Sequence, residues 1–267
     1  MAREGREYLS EIVDSVICLR DAFRIGIGGD KYIFSAMGPD AATNNYFAVS
    51  AIYDSICDVD TKIKYAFKAA LECDFPETLM EYDPFSMPTV QERIAMYHVE
   101  NIVFRVSILW DLLAQLCNVI YQTGISPDKI NYNRYFRNHS TGSDTIPICQ
   151  EIVDYLDESE DISADTNPWP GNHAYLSEFR NQMTHRASPN ISSMSTLGTV
   201  LRPPVMYVLH RAIEDYYRVS CFLCGLINKF LTEHENWVPH GFSDSHEEKE
   251  VSHRDKTIDA NGEHADY

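Results

Sequence analysis

The sequence predicts an all-α fold, a helical bundle of long antiparallel helices followed by an acidic C-terminal tail. Apolar residues recur at three- and four-residue spacings along most of the chain, and proline and glycine gather in a few connectors. No segment alternates with the period of two that a half-buried strand needs, so no β-strand is expected. At 267 residues and 44% hydrophobic content there is enough apolar material for one large packed core.

Each element has its own signal. Leu9, Ile12, Val13, Val16 and Leu19 form one stripe, which predicts a helix over 6–24. The glycine-rich stretch Gly26-Ile27-Gly28-Gly29-Asp30 reads as a loop; Lys31 stands where a dinucleotide fingerprint wants its third glycine, and no strand precedes it. Asn44 or Asn45 is placed to cap a second helix running to Cys73, with Ile52, Ile56, Val59, Ile63, Phe67 and Ala70 on one face. Pro76, Pro84 and Pro88 punctuate a connector. Thr89 followed by Glu92 is a capping box before a third helix, expected to reach Gln122 and stop at Gly124, with Ile102, Val106, Leu109, Leu113, Leu116 and Ile120 as its core stripe. Residues 123–143 read as a loop or short helix, and Ile146–Leu156 as helical. Asn172 is placed to cap a helix that ends before Pro189, and Val205–Leu231 is the last helix.

The regions expected are an N-terminal helical region over 1–75, a bundle over 88–232, and a disordered tail over 233–267. The tail carries ten acids, three bases and half of the ten histidines.

Charge narrows the function. With 22 basic and 40 acidic side chains the chain carries −18, which argues against a general nucleic-acid coat. The segment 180–218 runs the other way, with five arginines against Glu214 and Asp215, and is where a phosphate would be sought. The acidic tract Glu151–Asp165 reads as a solvated helix end and loop. The N-terminus lacks the apolar run of a signal peptide, and charged or polar residues interrupt the most apolar stretch, His98–Tyr121, so no membrane span is expected and a cytoplasmic protein is. Seven cysteines, most at apolar helical positions, read as reduced thiols. The pair Cys221 and Cys224 has metal spacing but no second pair to complete four ligands, so both are expected in the core, and no metal site or cofactor is expected.

The candidate site is Phe179-Arg180-Asn181-Gln182-Met183-Thr184-His185-Arg186. An Arg and a His with four to six residues between them also occur at Arg93/His98 and Arg134/His139. Only Arg180 is followed by Asn, and only it lies on a late helix inside the basic segment. This stretch resembles the HEPN superfamily, whose RNase members carry such a motif late in a helical bundle; the looser likeness in helical layout covers residues 90–230.

The resemblance implies a metal-independent endoribonuclease. Cleavage by the RNA's own 2′-hydroxyl needs a base, an acid and a cation on the phosphorane. Histidine suits the proton transfers and arginine the phosphate. His185 is then the acid/base, Arg180 the transition-state cation, and Asn181 orients His185 or a phosphate oxygen; Thr184 and Arg186 contact substrate. One chain has one such histidine, so the resemblance implies a composite site across a two-fold homodimer. It also implies RNA as substrate, an antitoxin or regulatory protein as partner, and a toxin, defence or stress-response setting. The Tyr that follows the motif His in members paired with nucleotidyltransferase antitoxins is missing from Arg186-Ala187-Ser188-Pro189, which counts against that kind of control. The rival expectation is a non-catalytic scaffold or nucleotide-sensing interaction module.

Overall fold

The computed structural model describes residues 2–16, 41–159, 170–185, 189–195 and 198–234. The described chain is an all-α bundle of α1 (Ala2–Ser15), α2 (Ala41–Leu71), α3 (Val90–Ile120), α4 (Tyr132–Ser140), α5 (Pro147–Leu156), α6 (Asn172–His185) and α7 (Val205–Glu233). The loop over 26–30, the acidic tract from residue 160 on and nearly all of the tail lie outside the described residues.

The two longest helices, α2 and α3, share the longest seam. Val49, Ile56, Ile63 and Ala70 of α2 are fully buried, as are Val99, Ile102, Leu113 and Leu116 of α3. α7 packs on α3 through Val208, Leu209, Ala212, Ile213 and Val219, also fully buried. The predicted core stripe of α3 is the observed one, with Ile120 only partly covered. α1 is held at its far end by Arg6, whose guanidinium pairs with Glu77 at 2.5 Å, donates to the Leu71 carbonyl at 2.6 Å and lies 4.6 Å from the Phe75 ring centre.

The start of α3 follows its sequence signal. The Thr89 hydroxyl accepts from Glu92 N–H at 3.1 Å, and Glu92 accepts from Thr89 N–H at 2.7 Å. The other oxygen of Glu92 pairs with buried Arg202 at 3.3 Å, so the cap also ties down the connector before α7.

Several boundaries differ from expectation. α2 begins at Ala41, so Asn44 and Asn45 lie inside the helix rather than capping it. α3 is closed by Gln122, not Gly124: Gln122 takes φ +51°, Gln122 N–H donates to Val119 O at 3.3 Å and Thr123 N–H to Asn118 O at 3.1 Å. This is the paired bonding of a Schellman cap with a non-glycine residue in the left-handed position. Asn118 makes it affordable, because its buried side chain accepts from Ile125 N–H at 3.1 Å and donates to the Ile125 carbonyl at 2.9 Å. A short antiparallel hairpin, β1 (Ser193–Ser195) and β2 (Gly198–Val200), stands where no strand was expected; three residues a side are too few to print a pattern of two.

α3 is long and apolar enough, by length and composition alone, to cross a bilayer, yet 56% of its most apolar window is buried inside the protein. That burial is what a core helix requires, and the uncovered part of the helix returns below.

α6 enters through Gly171, whose φ is +82° and whose missing Cβ would sit 2.3 Å from the Glu158 carbonyl oxygen. Both the conformation and the space exclude a side chain. Gly171→Ala is expected to cost about 2–4 kcal/mol, the sum of a left-handed penalty and a backbone clash. Gly142→Ala, at φ +103° but with nothing within 4 Å, should cost only the first of these. Urea unfolding of the two variants checks the difference.

Candidate functional site

α6 carries the predicted site, and its seating begins on α7. Asp215, 2% exposed, presents its carboxylate to three helices. Trp110 of α3 donates through Nε1 at 3.1 Å, the Tyr155 hydroxyl of α5 donates at 2.8 Å, and His173 Nδ1 of α6 lies 3.3 Å from both oxygens. On its other side, His173 Nε2 is 3.0 Å from the Tyr132 hydroxyl of α4. The neutral tautomer protonated at Nδ1 satisfies both contacts, donating to Asp215 and accepting from Tyr132. Burial and the Asp215 charge push the Tyr155 phenol up, and burial pushes the Tyr132 phenol up, so both stay protonated as donors. Ring contacts complete the cluster, with Trp110 stacked on Tyr155 at 5.8 Å and edge-on to His173 at 5.0 Å. In the sequence Asp215 counts only as a charge set against the arginines of 180–218, and nothing there joins it to Trp110, Tyr132, Tyr155 and His173; no spacing links residues from five helices.

This network fixes which face of α6 points inward. At about 100° per residue, His173, Ser177, Arg180 and Thr184 share one side, and Ala174, Glu178, Asn181 and His185 lie along another. Arg180 is half-buried and lines a narrow cavity of about 10 Å³ with Ser107, Trp110, His173, Ser177 and Asp215. Its charge bears on Tyr132 and on Asp111 of α3. Burial pushes the Asp111 carboxyl up, against the Tyr132 backbone bond and the Arg180 charge. Asn181 and Thr184 are exposed, and the Thr184 hydroxyl donates back to the Arg180 carbonyl at 3.1 Å. His185 is the last helical residue, about 140° around the axis from Arg180. Its side chain lies outside the described residues, as does all of Arg186. Within one chain the backbone does not bring Arg180 and His185 onto one face.

The basic segment is largely neutralised internally. Arg202 is buried against Glu92, Arg211 pairs with Glu214 at 3.2 Å and with Asn172 at 2.8 Å, and Arg218 lies 5.3 Å from the Tyr155 ring centre. Asn172 is therefore tied to α7 instead of capping α6. Among the described residues of this segment, the guanidiniums of Arg180 and Arg218 have neither ion pair nor hydrogen bond; Arg218 faces the Tyr155 ring, while Arg180 lies within the influence of the Asp111 charge. The opposite flank of α6 borders an open groove of about 830 Å³, walled by Tyr82, Tyr175, Phe179 and Tyr207, with Gln182 and Arg202 at its edge.

No family model, curated protein or solved structure matches this chain.

The other two Arg/His spacings do not build sites. Arg93 is exposed in the first turn of α3, and His139 is held by its own helix, 2.8 Å from the Tyr135 carbonyl. Among the described residues no three His, Cys, Asp or Glu side chains gather around a metal position. The cysteine pair departs from expectation: Cys221 is exposed and Cys224 half-buried, because their turn of α7 faces outward while Leu223 and Ile227 face the core.

Asp215→Ala leaves three buried donors unmet and should destabilise by about 3–5 kcal/mol, with Asp215→Asn losing less because an acceptor remains; denaturant melts check both. Burial pushes the Cys149 thiol up to about 12 and the Cys224 thiol up to about 11, which starves both of thiolate at pH 8. Timed alkylation read by mass spectrometry should therefore modify Cys221 well before Cys224, Cys149 or Cys117.

Proposed function

We propose that this protein is a metal-independent endoribonuclease of the HEPN type, cutting RNA through 2′-hydroxyl attack at a site shared by two copies of the chain. The observation that carries this reading is Arg180: half-exposed, with no ion pair or hydrogen bond among the described residues, and carried on a helix that the network beneath it seats. A guanidinium left unpaired in a protein of net charge −18 is suited to a phosphate. Exposed Asn181 and Thr184 stand beside it, and His185 ends the same helix.

The angular separation of Arg180 and His185 makes the two-copy arrangement necessary to this reading. One copy's Arg180 would grip the phosphate while His185 of the other copy moves the protons between the 2′-hydroxyl and the leaving 5′-oxygen. The aromatic groove along α6 offers flat faces for unpaired bases, which suits single-stranded RNA better than a duplex. A cytoplasmic toxin or defence role, restrained by an antitoxin or regulatory protein, belongs to the same proposal.

A second reading has its own observation. Arg180 lines a narrow cavity with Val103, Ser107 and Trp110 of α3 and bears on the Asp111 charge there, and a non-catalytic scaffold would use it only to seat α6.

The deciding experiment incubates the full chain with labelled RNA and a chelator. Cleavage should persist with chelator and fall about 100-fold or more in both Arg180→Ala and His185→Ala. Activity that the chelator abolishes, or that neither substitution changes, rules the nuclease out.

A further inference from the structure

Nine of the fourteen large apolar side chains exposed among the described residues fall between Leu79 and Ile108. Along α3 they are ordered. Val90, Ile94, Tyr97, Phe104 and Ile108 are 60%, 40%, 62%, 38% and 44% exposed, with Asn101 completing the row. Their spacing is four, three, four, three and four residues, the alternation of a heptad seam. A helix facing an irregular surface has no need of that period; a helix facing another helix does. An uncovered apolar row of this extent marks an interaction surface.

We propose that this face of α3 pairs with the same face of a second copy of the chain, side by side and parallel, about a two-fold axis running along the helix. Identical seams are self-complementary under that symmetry. Asn101 then meets its counterpart at the kind of position where one polar residue sets register and strand number in paired helices. Glu100 and Arg105 flank the seam at the two positions that face each other across a parallel pair; within one chain Glu100 accepts from Asn190 and Arg105 donates to Asn101, and pairing sets their opposite charges against each other. In an antiparallel pair centred on the same asparagine, Glu100 would meet Glu100. The exposed connector around Phe85 and Met87 widens the contact beyond a single helix.

The seam also leads to the candidate site. Its next heptad position is Asp111, the carboxylate on which Arg180 bears. Pairing along α3 therefore brings both Arg180 groups to the flanks of one interface. That last step rests on the nuclease reading; the pairing itself does not.

The test measures mass by light scattering and sedimentation on the full chain at micromolar concentration, for wild type, Ile94→Asp and Phe104→Glu. Wild type should be a dimer, and each substitution should weaken it about 30-fold or more while circular dichroism stays unchanged, since both residues are substantially exposed. Independently, Asn101→Cys should form an interchain disulfide on oxidation, which wild type and Arg93→Cys should not. A monomeric wild type, a dimer indifferent to both charges, binding to lipid vesicles through the same residues, or no crosslink at Asn101→Cys would each overturn the proposal. A dimer that breaks as expected in a protein that cuts no RNA removes the nuclease and leaves the interface. A monomer that cuts RNA removes the interface and the shared site with it.

Discussion

The bundle turns on one buried carboxylate. Asp215 is nearly inaccessible and still accepts from a tryptophan, a tyrosine and a histidine that come from three other helices. An isolated charge at this depth would be costly to hold away from water, and the donors are what offset that cost. The consequence is directional. Trp110 and Tyr155 fix where the carboxylate points, and the carboxylate fixes the ring of His173. Through His173, the rotation of α6 about its own axis is set, and with it which residues of the candidate motif see the interior.

That chain of dependence explains which parts of the protein were legible in the sequence. The long helices are driven by area, so their apolar stripes stand out by period alone: the α3 stripe from Ile102 to Leu116 is buried as spaced. The capping box at Thr89 is also local, since both partners lie within one turn. What the sequence hides is pairing across distance. Asp215 looks like its neighbour Glu214, but one is a buried hub and the other a partly exposed partner of Arg211. Arg202 looks like part of a basic patch and is an interior ion paired with the capping glutamate of α3. Helix ends chosen by side-chain support rather than by residue type were hidden as well: Gln122 takes the left-handed position because Asn118 grips the turn that follows.

The site is legible to a lesser degree. The motif on α6 marks a helix with one unpaired arginine, and the sequence singles out that arginine among five. It does not reveal that Arg180 and His185 sit about 140° apart around one continuous helix. A motif written as a string suggests proximity, and a helix converts five residues into nearly the opposite side. Chemistry needing both groups on one phosphate must therefore take one of them from elsewhere.

α3 shows how the same sequence can meet two demands. Its core stripe follows the period of an isolated helix packed on α2 and α7, while its outer row keeps the slightly shorter period of paired helices. Over the 18 residues from Val90 to Ile108 the two periods drift apart by about 50°, so the outer row slides around the helix toward α6 as it descends. An outer face selected only for solubility would carry charge at those positions, as the outer face of α2 does with Asp54, Asp58 and Lys62. Instead the row, Asn101 apart, stays apolar until it reaches Asp111, where a carboxylate and the Arg180 guanidinium take over. The place where the apolar row ends is thus also the place where the unpaired cation begins, and a second copy seated on the row would close over it.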